Sequence, residues 1–112
     1  MFVNPRAVSK INKFPNTSKV TNMEGMFSYC KSLEHIDLSQ LDFSKTESLK
    51  NFLYNCSSLK EIDLTPLNTA TNCTNFINLL SYCYSLEEVD LTYLNNPNIN
   101  SLSGWFSNNT SL

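Results

Sequence analysis

Residues 46–67 read TESLKNFLYNCSSLKEIDLTPL. Four apolar residues and one cysteine fall at positions i, i+3, i+4, i+7 and i+10 of this stretch: Leu49, Phe52, Leu53, Cys56 and Leu59. That spacing is typical of one face of an α-helix, and the polar residues 46–48 are suited to cap its N-terminus. Polar and apolar residues then alternate over 60–65, which is the period of a short strand with one buried face. The stretch therefore predicts a helix, a short strand and a loop.

The same spacing occurs four times along the chain. The copies begin at Met23, Leu49, Phe76 and Leu102, about 26 residues apart. A fixed period of this length indicates a repeat protein in which copies stack, since one unit cannot bury its own apolar face. We expect an α/β solenoid: a right-handed coil with parallel strands on one face and helices on the other.

The repeat divides the chain into three parts. Residues 1–19 hold a weak partial unit, with Val8, Ile11 and Phe14, and are expected to form an atypical N-terminal capping coil. Residues 20–97 hold three helix–strand repeats, with predicted strands at 35–39, 60–65 and 88–92. Residues 98–112 hold a partial repeat that has the helix pattern only.

Composition excludes several classes of function. The chain has 112 residues, with 8 basic and 10 acidic side chains and a net charge of −2. Nucleic-acid binding needs clustered Lys and Arg, so no nucleic-acid partner is expected. No apolar run is long enough to span a bilayer, so no membrane insertion is expected. Residues 1–6 lack the pattern of a signal peptide, so no export signal is expected in the chain as given.

The cysteines point to packing rather than to chemistry. Cys30, Cys56 and Cys83 occupy the same slot of successive copies, and Cys73 lies outside that register. Each of the three lies on the predicted buried stripe, which favours a ladder of free thiols over a disulfide framework. No C-x-x-C or Cys/His pairing occurs, so we expect no zinc site and no cofactor.

The predicted strands place acidic residues in columns that face away from the core. The columns contain His35, Glu61 and Glu88, and Asp37, Asp63 and Asp90. One interpretation is an acidic strip that binds a cation or a basic partner. The alternative is that each Asp accepts hydrogen bonds from nearby hydroxyls or loop amides and shapes the repeat. A flat column offers few of the six or more oxygens that Ca²⁺ needs, so no metal site is expected.

Other candidate contact residues are aromatic. Tyr54, Tyr82 and Tyr84, with Tyr29 and Tyr93, lie between the apolar slots, and tyrosine is well suited to interfaces. Trp105 either packs in the core of the last unit or belongs to an apolar patch that a partner covers.

Catalysis finds no support in the sequence. His35 is the only histidine, and a triad would need a nucleophile and an orienting acid around it in a cleft. Ser39 and Asp37 are its neighbours in sequence, but on a strand they would be surface neighbours. We therefore expect no enzymatic activity.

The repeats also resemble a known family. Residues 20–33 read VTNMEGMFSYCKSL and are followed by IDLS at 36–39. These motifs closely resemble the repeats of BspA-like leucine-rich repeat proteins, and the resemblance covers roughly residues 14–112. It implies a leucine-rich-repeat-like coil and a role in adhesion or in binding host proteins. It also implies a location at the bacterial cell surface or in the secreted fraction. The family has relatives in phages as well.

The function that we expect is a non-enzymatic module for protein binding and adhesion, of bacterial surface-protein type. Its partner would be a host surface protein. The alternative is a structural subunit of a larger assembly, such as a phage virion. In that case the open C-terminal coil would dock on a neighbouring subunit.

Overall fold

Regular secondary structure is sparse in this protein. A computed structural model describes residues 9–11 and 13–112. Within them it contains two 3-10 helices, Leu38–Gln40 and Thr65–Thr69. It also has three isolated parallel β-bridges, which join Lys10 to His35, Asn22 to Ser48 and Ser48 to Asn75. The described chain has no α-helix and no sheet, so the prediction of an α/β solenoid with helices and parallel strands is wrong.

The segments predicted as helices are chains of four-residue turns. An α-helix bonds each N–H to the carbonyl four residues earlier. Here the N–H groups of Met26 and Phe52 bond three residues back, to Met23 and Leu49. The alternate N–H groups point to the next copy instead: Phe27 donates to the carbonyl of Phe52 at 3.0 Å. An α-helix is excluded because alternate N–H groups of these segments donate to carbonyls of the next copy instead of to the carbonyl four residues earlier.

Left-handed residues recur every four positions in these segments. One slot is filled by Gly25, Asn51, Asn78 and Gly104, and the other by Tyr29, Asn55, Tyr82 and Asn108, all with φ between 58° and 73°. A positive φ at the third residue is the hallmark of a type II turn. Glycine and asparagine adopt this conformation most readily, which explains why they recur here.

Each segment predicted as a strand leads into a turn or a 3-10 helix at its end. The carboxylate of Asp37 accepts the N–H of Ser39 at 3.0 Å and caps the first 3-10 helix. A side-chain oxygen that satisfies a nearby N–H in this way competes with extended pairing. The inward positions Ile36 and Leu38 are buried as expected, whereas Leu91 in the third copy is exposed.

The core runs through the stack of copies. The five regularly spaced residues of the second copy are all buried: Leu49, Phe52, Leu53, Cys56 and Leu59. T-shaped aromatic contacts connect copies, with ring centroids 5.2 Å apart for Phe27 and Phe52. The same i, i+3, i+4, i+7 spacing therefore fills a core without a helix. The predicted boundaries at 19/20 and 97/98 stay predictions, and residues 1–8 and 12 of the N-terminal coil lie outside the described residues.

Candidate functional site

Six of the predicted contact residues line one groove of about 610 Å³. They are His35, Asp37, Glu61, Asp63, Glu88 and Asp90. Lys60 and Glu87 also line the groove, although the sequence analysis did not select them. The signal for Lys60 was its place at the start of the alternating stretch 60–65, and the signal for Glu87 was its place directly before the stretch 88–92. The groove therefore carries six carboxylates, one lysine and the histidine.

The aspartates of the groove are occupied by local hydrogen bonds. Asp63 accepts the N–H and the hydroxyl of Thr65, at 2.9 and 2.8 Å. Asp37 does the same with Ser39, and the hydrogen bonds from Ser39 hold the pKa of Asp37 below its ordinary value. Asp90 accepts the N–H of Thr92. These are the hydrogen bonds expected if each Asp shapes its repeat, and the second interpretation, an acidic strip for a basic partner, stays a prediction.

One exposed ion pair and one exposed polar contact join neighbouring copies beside the groove. Lys60 Nζ lies 2.9 Å from Glu34 Oε1, and His35 Nδ1 lies 3.5 Å from Glu61 Oε1. The hydrogen bond with Lys60 lowers the pKa of Glu34, and the same bond raises the pKa of Lys60. Across residues 9–11 and 13–112, no three His, Cys, Asp or Glu side chains are placed to hold a metal ion.

A second surface is a row of tyrosines, which we call the tyrosine row: Tyr29, Tyr54, Tyr82 and Tyr84. Successive ring centroids lie 5.6, 5.2 and 6.0 Å apart, so one aromatic surface crosses three copies. Desolvation, followed by the neighbouring phenols, raises the pKa of Tyr54. Tyr29 is 44% exposed, and Tyr84 is similarly accessible. Tyr93 is exposed and makes no ring contact with the row.

Two members of the tyrosine row have a strained backbone. Tyr29 and Tyr82 have φ of 62° and 63°. In the other two copies this slot holds Asn55 and Asn108, which tolerate the left-handed region. A bulky residue there is an outlier. Strain of this kind persists where the surroundings enforce it and is often found at functional sites. Sequence reasoning selected tyrosines for their chemistry but had no signal for this strain.

Trp105 lies in the core. Its side chain is fully buried, and its indole Nε1 donates to the carbonyl of Phe76 at 2.6 Å. The structure therefore agrees with the first of the two alternatives for Trp105, in which it packs in the core of the last copy. Trp105 is therefore not a surface residue in the described chain.

The four cysteines are buried and free. The Sγ atoms of Cys56 and Cys83 approach the carbonyls of Phe27 and Leu53, at 3.1 and 3.4 Å. Burial raises the pKa of the Cys83 thiol to about 12. The hydrogen bond between Cys30 and Cys56 lowers the pKa of Cys30 and raises that of Cys56. The expected ladder of buried thiols is confirmed.

Comparison with known proteins identifies a family. A protein-family model described as "Mycoplasma protein of unknown function, DUF285" matches residues 1–112, the whole of the chain. No curated protein and no solved structure matches it. The resemblance to BspA-like repeats stays a prediction from the sequence. None of the helices in the described part of the chain is long and apolar enough to cross a membrane.

Proposed function

Since this chain belongs to DUF285, a Mycoplasma family of unknown function, we propose its role from its own geometry: a non-enzymatic module that binds a protein partner. The tyrosine row is the observation that carries the proposal. Tyrosine provides a large contact area with little loss of conformational entropy, and it is enriched among the residues that dominate binding energy. The surface-protein role and the cell-surface location suggested by the sequence belong to the same proposal.

The strained tyrosines support this proposal. Left-handed backbone costs about 1–2 kcal/mol for an ordinary residue, so Asn at positions 29 and 82 would favour the turn. Tyr29 and Tyr82 occupy the slot instead, and each contacts Tyr54 of the copy between them. The strain at these two tyrosines lowers stability but keeps the tyrosine row continuous, as expected if the tyrosine row is a functional surface.

The negative charge of the acidic groove favours one kind of partner. Tyr84 ends the tyrosine row three residues before Glu87, which lines the groove. Three residues span at most about 11 Å, so one partner can cover both surfaces. With six carboxylates against Lys60 and His35, the groove favours a partner that presents basic side chains beside its contact with the tyrosine row.

The test compares binding by matched variants. The double variant Tyr29→Asn/Tyr82→Asn removes two rings while giving the backbone a residue suited to its φ. Tyr93→Asn removes an exposed tyrosine outside the row. The native chain and both variants are immobilised and exposed to surface proteins extracted from cultured epithelial cells, and bound proteins are quantified by mass spectrometry.

We expect at least one extracted protein to bind the native chain and Tyr93→Asn equally, with a loss of about tenfold or more for the double variant. Equal binding by all three chains, or equal loss in both variants, would overturn the role of the tyrosine row. Thermal melts of each variant verify that any loss of binding occurs in a folded protein.

A second candidate is the structural subunit of a larger assembly, such as a virion. The observation that supports it is the repeated junction between copies, in which alternate N–H groups of one copy donate to carbonyls of the next at 2.7–3.1 Å, because the same pattern can also join two chains. The two candidates use different surfaces and can therefore be tested apart.

A further inference from the structure

The rings of the tyrosine row form a corrugated surface. Neighbouring ring planes are inclined to each other by 58°, 52° and 77° along the row. Rings tilted in this way leave gaps between them, whereas parallel stacked rings would form a smooth wall. Tyr29 and Tyr84, at the two ends, are exposed, and Tyr54 and Tyr82 between them are half-buried. A ligand that carries rigid apolar rings at a regular spacing fits such a surface.

The backbone beneath the tyrosine row is already bonded. The N–H of Tyr29 donates to the carbonyl of Tyr54 at 2.7 Å, and the N–H of Tyr82 donates to Ser107 at 2.9 Å. The N–H of Tyr54 donates to Asn51 at 3.2 Å. A partner that added a β-strand here would need free backbone donors of this kind. The side chains of the tyrosine row must therefore hold the ligand.

The spacing of the tyrosine row suits a polyproline II helix. Ring centroids from Tyr29 through Tyr54 to Tyr82 are 5.6 and 5.2 Å apart, so alternate rings lie at most about 11 Å apart, and one turn of polyproline II advances about 9 Å. This helix has no internal hydrogen bonds, so its carbonyls can accept from tyrosine hydroxyls. Docking of proline-rich segments on aromatic-lined surfaces is a recurring mode of recognition, because the ligand is ordered before it binds.

The acidic groove specifies the charge of this ligand. The groove extends over the same three copies as the tyrosine row, from His35 through Glu61 to Glu88. Tyr84 and Glu87 are three residues apart in the chain, so the two surfaces are neighbours. A polyproline II helix has three residues per turn. Prolines on two of its sides can therefore pack on the rings while every third residue faces the carboxylates.

We propose that the tyrosine row and the acidic groove together bind a proline-rich segment in the polyproline II conformation, with an arginine or lysine at every third residue. This inference rests on the proposed function and names the chemical class of the partner. Arginine is the better of the two basic residues, because its guanidinium stacks on aromatic rings and pairs bidentately with carboxylates.

The experiment titrates dye-labelled peptides with the full chain and measures fluorescence anisotropy. The probe has three Pro-Pro-Arg units, and we expect saturable binding to the native chain. A peptide of three Gly-Gly-Arg units has the same charge without the rigid helix and should bind at least about tenfold more weakly. Three Pro-Pro-Glu units keep the helix and reverse the charge, and they should not bind measurably. No binding of the Pro-Pro-Arg peptide, or equal binding of any two peptides, would overturn the proposal.

Matched variants of the chain locate the bound peptide. Tyr29→Asn/Tyr82→Asn should weaken binding of the Pro-Pro-Arg peptide about tenfold or more, and Tyr93→Asn should leave it unchanged. Glu61→Gln removes one charge from the groove and should weaken binding about threefold. Glu47→Gln removes an exposed charge outside the groove and should have little effect. Native affinity in the tyrosine double variant, or equal affinities of Glu61→Gln and Glu47→Gln, would contradict the assigned surfaces. Thermal melts verify that each variant is folded.

The outcome separates this inference from the proposed function. If extracted proteins bind through the tyrosine row while the Pro-Pro-Arg peptide does not bind, the proposed function stands and the polyproline II ligand is wrong. If the peptide binds through the tyrosine row while no extracted protein is captured, the ligand class stands and a partner on epithelial cells is wrong.

Discussion

The side-chain amide oxygen of Asn78 lies directly over the α-carbon of Gly104. A Cβ added at Gly104 would overlap Asn78 Oδ1, and Gly104 has a φ of 73°. The third and last copies approach each other so closely here that only a hydrogen atom fits at this α-carbon. Gly25 has the equivalent φ of 64°, but a Cβ there would lie 3.2 Å from the hydroxyl of Ser28, which can move.

This difference predicts unequal costs for two alanine substitutions. Gly104→Ala adds a steric overlap to left-handed strain and should lower the free energy of unfolding by about 3 kcal/mol. Gly25→Ala adds the strain alone and should cost about 1 kcal/mol. Urea unfolding followed by the fluorescence of the single tryptophan measures both. Equal costs would contradict the close contact at Gly104.

The register predicts opposite effects for two neighbouring residues. Leu64 is buried, so Leu64→Asp places an unpaired carboxylate in the core and should cost about 4 kcal/mol or more. Asp63→Asn keeps an oxygen that can accept from Thr65 and should leave the protein close to native stability. Thermal melts of the two variants test this difference, and similar midpoints would show that the inward and outward positions are misassigned.

The cysteine ladder predicts an order of reactivity. The thiolate is the nucleophile, so a lowered pKa accelerates alkylation and a raised pKa slows it. Cys30, whose pKa is lowered by its hydrogen bond with Cys56, should react before Cys83, whose pKa burial raises to about 12. Mass spectrometry of iodoacetamide labelling over time provides the measurement. Labelling in denaturing urea is the control and should remove the order; early modification of Cys83 in the native protein would contradict it.

The carboxylates predict loss of stability in acid. Hydrogen bonds from Ser39 and Thr92 lower the pKa of Asp37 and Asp90 in the folded protein. The unfolded chain, with Asp near its ordinary value of about 3.9, then binds more protons than the folded one, so stability rises with pH in this window. The contribution is complete above about pH 4 and declines as the pH falls through the lowered folded-state values.

Melting temperatures measured across this pH range test the prediction. The double variant Asp37→Asn/Asp90→Asn removes the two titrating groups and should show a weaker dependence on pH. An unchanged slope would assign the acid sensitivity to other carboxylates.

The sequence predicts which residues are buried far better than it predicts their backbone. The stripe from Leu49 to Leu59 enters the core as expected, because burial follows from spacing alone. The same spacing fits both a helix and a chain of turns. The signal that distinguishes them is the recurrence of Gly or Asn four residues apart, as at Asn51 and Asn55, where a helix interior disfavours both.

The candidate surfaces were predictable in part. The alternation of polar and apolar residues correctly predicted that His35 and the acidic residues share one surface. The ion pair between Glu34 and Lys60 was not predictable, because it depends on how the copies stack. The left-handed backbone of Tyr29 and Tyr82 was beyond prediction, because propensity argues against tyrosine there. The junctions between copies were also beyond prediction, because they depend on alternate N–H groups that point to the next copy.

Because the same pattern of hydrogen bonds joins each pair of copies, a change in the number of copies encoded by the gene is compatible with the fold. Deletion of residues 46–72 would join Lys45 to Cys73, which is the residue equivalent to Thr46. Met23 would then face the carbonyl of Asn75 in place of that of Ser48, with the rest of the junction in register. Recombination between repeats of the gene can thus shorten or lengthen the protein by whole units while each new junction reuses an existing bonding pattern.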